Sequence, residues 1–295
     1  MDPAVIGLVA ISAVLHVAWN IRLKSAGDPL ITATINLAVG AVIIVPIGTL
    51  AWLADGAPAL PPEGIGLGLV SSVFEAAYFI LLAGAYRRGD LSVVYPIARG
   101  TAPLLLVAIG VVVLGERLGG VGWIGVGALI VGFLALRRPW LALRSTGGTR
   151  RPDAAILFAL ATGVAIAGYT SVDRVGARLI DPVTYASIIW LGGTVLLIAW
   201  IAVVRRGAVA RPDRDLVREA SFGGVMMLGA YLLILIALSV APLTAVAPLR
   251  ESATVVAAAW GAVRMGEAVG RGEAVRRIGA SALIVAGAVL LALDG

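Results

Sequence analysis

Long apolar runs separated by short polar breaks make up almost the whole chain. The runs fall at 4–21, 30–53, 64–86, 91–114, 119–136, 154–177, 183–204, 220–240, 243–263 and 276–293. Each is close to the roughly 20 residues that an α-helix needs to cross the hydrocarbon core of a bilayer. Strands of a membrane barrel would be about half as long and would alternate in polarity. These runs do neither, so the pattern predicts an all-α polytopic membrane protein with ten transmembrane helices. The longest polar interruptions are 137–153 and 205–219. The first contains Arg137, Arg138, Arg144, Arg150 and Arg151 with Gly147 and Gly148, and lies at mid-chain. It is expected to link a first five-helix repeat, 1–136, to a second, 154–295. The N-terminal run has no basic segment before it and no evident small-residue cleavage site, and is expected to stay as a span.

Short segments recur in the same order in the two halves. Leu114-Gly115-Glu116 corresponds to Met265-Gly266-Glu267, and Arg99 to Arg250 at the same offset. Pro96 and Pro248 precede those arginines. Ala128-Leu129-Ile130-Val131 reappears as Ala282-Leu283-Ile284-Val285, and Asp28-Pro29 as Asp181-Pro182. Their common order points to duplication. Five helices per half is odd, so the second half must enter the membrane in the opposite sense. That is an inverted repeat, an architecture of many secondary transporters.

Composition agrees. Of 295 residues, 60% are hydrophobic and only 14% charged, with a mean hydropathy of +1.01. A soluble domain is roughly half apolar and about a quarter charged. The net charge of +6 comes from 23 Lys+Arg against 17 Asp+Glu. The basic residues cluster in loops between apolar runs, which fits the positive-inside bias better than nucleic-acid binding. Counting the loop after the first span as loop 1, the odd loops hold Arg22, Lys24, Arg87, Arg88, the arginines of 137–153 and 205–219, Arg264, Arg271, Arg276 and Arg277. The even loops and the end of span 6 hold only Arg117, Arg174 and Arg178. This bias places the odd loops in the cytoplasm and both termini outside.

Ionisable groups within a span cost about 2.5–3.5 kcal/mol each on insertion scales and usually face a cavity or a partner. Here they are His16, Glu75, Arg99, Asp173, Arg250 and Glu251. His16, Trp19 and Asn20 share one face of helix 1 by their spacing; the face suits a polar cavity wall, or a histidine satisfied by a neighbouring carbonyl. Glu75 sits near the middle of helix 3 with Tyr78 and Phe79 on its face. Its counterpart in the second half falls near Met226 or Met227, so no second carboxylate balances it. It reads as a proton carrier or a partner for a substrate ammonium, against the alternative of an ion pair with Arg99 or Arg250. Pro96-Arg99 and Pro248-Arg250 are matched interruptions, and Pro103 adds a second in helix 4. Such pairs in two halves are the best sequence pointer to a transporter's central site; the arginines could instead snorkel to headgroups. Tyr169 and Asp173 form a polar stripe on helix 6, with Asp173 also readable as an interfacial pair with Arg174. Tyr95, Tyr231, Trp190 and Trp260 are candidate aromatic walls, while Trp52, Trp123, Trp140 and Trp200 read as interface anchors. Glu116 and Glu267 read as caps. Gly122, Gly125, Gly127 and Gly132, with Gly279 and Gly287, read as packing faces within the fold or between subunits.

No P-loop, H-E-x-x-H or dinucleotide fingerprint is present. The single histidine and the lack of cysteine exclude a histidine-rich metal site and thiolate ligation. No catalytic set, metal or cofactor is expected.

His16-Val17-Ala18-Trp19-Asn20, followed by Lys24 and Asp28-Pro29, resembles the first helix of EamA-type transporters of the drug/metabolite transporter superfamily. Ala247-Pro248-Leu249-Arg250-Glu251, Gly266-Glu267 and Ala282-Leu283-Ile284-Val285-Ala286-Gly287 are similar to that family's second half. The resemblance implies ten helices in an inverted repeat of five. Helices 1, 3, 4, 6, 8 and 9 would line a central cavity, and helices 5 and 10 would pack outside it. It also implies export of small metabolites, as in the YddG-type amino-acid exporters of similar architecture. The family's topology models often put both termini inside, contrary to the arginine bias.

The expected function is therefore secondary transport of a small metabolite, an amino acid first, across an inner (plasma) membrane by alternating access. The expected substrate-binding residues are His16, Trp19, Asn20, Glu75, Tyr78, Tyr95, Arg99, Tyr169, Tyr231 and Arg250, with Glu75 and His16 as proton-coupling candidates. The expected partners are that substrate and the lipid bilayer, with the protein a monomer or homodimer and no nucleic acid. Export of amphipathic drugs or of a lipid-linked carrier is the alternative within transport, and an integral membrane enzyme is the alternative outside it.

Overall fold

A computed structural model describes residues 2–25, 28–88, 91–137, 154–205, 214–250 and 271–294. Ten helices follow one another: α1 Pro3–Ser25, α2 Pro29–Ala54, α3 Pro62–Tyr86, α4 Leu91–Val112, α5 Gly120–Arg137, α6 Ala154–Leu179, α7 Pro182–Arg205, α8 Arg214–Val240, α9 over 243–250 as far as it is described, and α10 Arg271–Asp294. The described residues contain no strand. Most of 137–153, with Trp140, Glu251, Trp260, Gly266 and Glu267, lies outside the described residues.

Local chemistry explains where the helices start. Asp28 is extended and accepts from the amides of Leu30 (3.1 Å) and Ile31 (3.2 Å), with Pro29 in the first turn where its missing N–H is harmless. Asp181 repeats the device ahead of α7, accepting from Val183 (3.3 Å) and Thr184 (2.8 Å) with Pro182 next. The echoed Asp-Pro pairs are thus matched N-caps. Between α2 and α3 the chain reverses through Gly56 at φ 84° and Ala57 at φ 52°, and Trp52 donates its indole N–H to Pro58 O (2.9 Å). Helix α4 continues through Pro96 and Pro103, so those prolines remove donors without ending it.

Five of the described helices, α2, α3, α6, α7 and α8, are long and apolar enough to cross a membrane. Large apolar side chains such as Val14, Val42, Ile124 and Val203 point outward, as a lipid solvent requires.

The helices interlock across the repeats. Helix α3 packs on α6, and α8 on α1; α2 packs on α8, and α7 on α3; α2 packs on α7, and α5 on α10. Exchanging each helix for the one five places later turns every one of these pairs into another of them, or into itself. This is the signature of an inverted two-fold repeat. The α5–α10 pair answers the question left open by the glycines for Gly125 and Gly287. A Cβ on Gly125 would lie 2.8 Å from Gly287 O, and one on Gly287 would lie 2.7 Å from Gly125 O. The two backbones touch, so these glycines pack within the fold.

Candidate functional site

A narrow cavity lies where the two repeats meet. Its walls are His16 and Trp19 from α1, Glu75, Tyr78 and Phe79 from α3, Tyr169 from α6, Met227 and Tyr231 from α8, and Arg250 from α9. About 20 Å³ is open to the centres of water molecules, enough for one or two waters. The i, i+3 and i+4 spacings of α1 and α3 deliver their residues to one side, as the sequence pattern implies. The spacing that carries Asp28 onto Asp181 also carries His16 onto Tyr169 and Tyr78 onto Tyr231, so the walls are themselves matched. Glu75 breaks the symmetry: the same spacing sets Leu228 opposite it, next to Met227, and no second carboxylate.

Aromatic rings line the cavity in two groups. His16 meets Trp19 edge-on at 5.1 Å, Tyr78 meets Phe79 at 4.7 Å, and Tyr169 lies 6.2 Å from Tyr78 and 6.4 Å from Tyr231. Trp190, a candidate wall, stands behind this lining: it is fully buried, 6.0 Å from Tyr231, in a space that Gly40 leaves for it.

The charges are the unusual feature. Glu75 and Arg250 are each only 6% exposed. Glu75 Oε2 and Arg250 Nε are buried without a hydrogen-bond partner, and no described group lies within ion-pairing distance of either side chain. The readings of Glu75 as half of an ion pair with Arg250, and of Arg250 as a snorkelling residue, do not hold in this structure. Trp19 Nε1 is a further unpaired donor at the same cavity. Buried, unsatisfied polar atoms of this kind are expensive unless something else meets them. The side chains of Asn20, Tyr95 and Arg99 lie outside the described residues.

Asp173 is placed differently from the interfacial pair with Arg174 that its position suggested. It is 1% exposed and accepts from Ser71 Oγ (2.6 Å), Tyr231 OH (2.6 Å) and, weakly, Tyr185 OH (3.4 Å). Four helices, α3, α6, α7 and α8, meet on this one carboxylate. Tyr231 belongs to both assemblies, its ring in the cavity wall and its hydroxyl on Asp173. Arg174 turns the other way, to Glu116 at 3.6 Å. Glu116, just after Gly115 at φ 67°, also accepts from the amides of Leu243 (2.7 Å) and Thr244 (2.9 Å). It therefore caps α9 from the opposite repeat, satisfying amides that start a helix. Sequence reasoning missed Asp173 as a hub because its donors come from positions 12 to 102 residues away. The only available hint was that Ser71 lies one turn before Glu75.

Among the described residues no group of His, Asp and Glu side chains could hold a metal ion.

Ten helices, interlocked as inverted repeats around a polar and aromatic cavity, define the architecture of a secondary transporter. The sequence profile of the EamA-like transporter family matches residues 3–138 and again 153–293, and the chain belongs to that family, within the drug/metabolite transporter superfamily. It is a multi-pass membrane protein of a family that transports small molecules. None of the curated proteins matches the sequence. Among chains of solved structure, one crystal structure superposes with a TM-score of 0.69 at 20% identity, covering 98% of this chain and 99% of its own. That likeness shows the fold.

Proposed function

We propose that the protein moves a zwitterionic metabolite, an amino acid in the first instance, outward across the inner membrane by alternating access. One observation carries this reading: Glu75 and Arg250, a carboxyl and a guanidinium that each bury a polar atom without a hydrogen-bond partner, face the same aromatic-lined cavity. A substrate ammonium on Glu75 and a substrate carboxylate on Arg250 would supply both missing partners, and the rings would enclose the side chain. Arg250 could grip a carboxylate with two parallel N–H groups. His16, Trp19 and Tyr169 complete the walls, and Asn20, Tyr95 and Arg99 belong to the same proposed site by sequence and symmetry. A cavity for one or two waters is too small for an amino acid, so the helices must part to admit one.

The rest of the reading follows. The repeats, 1–136 and 154–295, rock about the cavity while 137–153 connects them. The odd loops face the cytoplasm. Glu75 or His16 carries a coupling proton, and the carrier works as a monomer or homodimer. Export of amphipathic drugs would be favoured by arginines at the headgroups; the burial of Arg250 argues against it.

The test is counterflow in proteoliposomes of the purified protein against a panel of labelled amino acids. Stimulated exchange with one or a few, lost in Glu75→Gln and in Arg250→Gln while folding persists, is expected. No exchange with any amino acid in folded protein, or full exchange in both variants, would overturn the proposal. Exchange indifferent to an imposed pH gradient would remove the proton from the mechanism and leave the substrate site standing.

A further inference from the structure

A second depression lies away from the central cavity, at the membrane end where α3 and α7 finish and α2 and α6 begin. About 190 Å³ is open within it. That is comparable to the roughly 150 Å³ apolar cavities that take up a benzene-sized molecule. Its floor is apolar: Leu30 from α2, Ala83 from α3 and Phe158 from α6 are buried or half-buried. Phe158 lies against Gly84, where a Cβ would meet the ring at 2.6 Å, so the glycine is what lets the floor sit so deep. The outer wall is Trp200 and Val204 of α7, at 43% and 57% exposure beside the still more exposed Val203. Exposed apolar residues on a spanning helix face acyl chains, so the groove opens sideways to lipid.

Among the described residues two arginines stand on the rim, both at the end of α3. Arg88 donates to Gly84 O (2.9 Å) and lies over the Phe158 ring at 4.3 Å. It therefore has a structural use, satisfying a carbonyl at the end of α3. Arg87 has none: it is exposed, and no described group pairs with it. Trp200, whose indole N–H likewise has no described acceptor, sits on the opposite rim. Among the described residues no acidic side chain lines the groove.

We propose that this groove binds one anionic phospholipid from the leaflet on the odd-loop side. An acyl chain lies over Phe158 and Ala83, and the phosphate sits between Arg87 and the exposed edge of Arg88. A free anion would leave the apolar floor uncovered, and a zwitterionic lipid would bring its own cation to two arginines. Basic pockets between spanning helices recognise anionic headgroups in this way. The groove contacts α2, α3, α6 and α7 together, so a lipid seated there bridges the two repeats. The proposal does not depend on what the central cavity carries.

The test uses the purified full-length chain in detergent, titrated with phosphatidylglycerol or with phosphatidylcholine of the same acyl chains. Bound lipid is counted by native mass spectrometry and the unfolding midpoint is followed in parallel. One phosphatidylglycerol per chain is expected to bind and raise the midpoint, with phosphatidylcholine much weaker. Arg87→Gln should weaken phosphatidylglycerol about fivefold, given the roughly 1 kcal/mol that each basic residue contributes near an anionic surface. Val204→Trp fills the groove from its exposed rim without touching the core and should abolish the bound lipid. Equal binding of the two lipids would overturn the headgroup assignment. Undiminished phosphatidylglycerol binding in both variants would overturn the site. Inorganic phosphate that raises the midpoint as much as the lipid would show that the groove's apolar floor plays no part, and would overturn the lipid.

Discussion

Removing the Asp173 carboxylate should loosen the four helices that meet on it. Asp173→Ala deletes the acceptor of two 2.6 Å bonds, from Ser71 and Tyr231, and of one 3.4 Å bond from Tyr185. Interhelical hydrogen bonds inside membrane proteins average about 0.6 kcal/mol and reach about 1.7. A carboxylate acceptor roughly doubles a neutral bond, and the long bond adds little. Two bonds then contribute about 2–3 kcal/mol. The stranded Ser71 and Tyr231 hydroxyls are buried, at 0% and 5% exposure, which raises the expected loss to about 2–4 kcal/mol. At roughly 2–4 °C per kcal/mol for chains approaching this size, the unfolding midpoint in detergent should fall by about 4–16 °C. Tyr231→Phe removes one donor of the same network. The double variant should therefore lose less than the sum of the two single losses, by about 1 kcal/mol. A fall under about 2 °C, or strictly additive losses, would refute the hub: the carboxylate would then have other partners or none.

Other expectations can be checked by the same unfolding measurement. Gly125→Ala should destabilise, because its Cβ meets Gly287 O at 2.8 Å and both are backbone positions that cannot swing aside, whereas Gly127→Ala, with nothing within 4 Å, should stay within about 0.5–1 kcal/mol of the parent. Glu116→Ala should lose about 1–2 kcal/mol by uncapping α9, and Glu116→Gln, which keeps an acceptor for one amide, should lose less. Asp28→Ala and Asp181→Ala should each lose about 1 kcal/mol and add in the double variant, since the two caps start different helices.

Run length, apolar periodicity and capping residues are local properties, and they made the helical architecture readable from the chain alone. An α-helix closes its hydrogen bonds within four residues, and a bilayer demands about 20 apolar residues whatever lies beside them. Asp28-Pro29 and Asp181-Pro182 could be seen as matched, because a cap acts on its own next turn. His16 with Trp19, and Glu75 with Tyr78, could be placed on shared faces by spacing, and each face does turn to the cavity. Which faces meet was beyond that logic. Glu75 and Arg250 are brought to one cavity without pairing, and Arg174 turns from its neighbour Asp173 to Glu116, because helices pack through contacts distant along the chain. Asp173 read as part of a polar stripe or as an interfacial pair with Arg174, whereas Ser71, Tyr185 and Tyr231 close around it from three other helices. The glycines of α5 and α10 carried two readings, within the fold or between subunits, because a small residue permits close approach but does not name its partner. Periodicity assigns each helix a polar face; the packing of the two repeats chooses what that face meets.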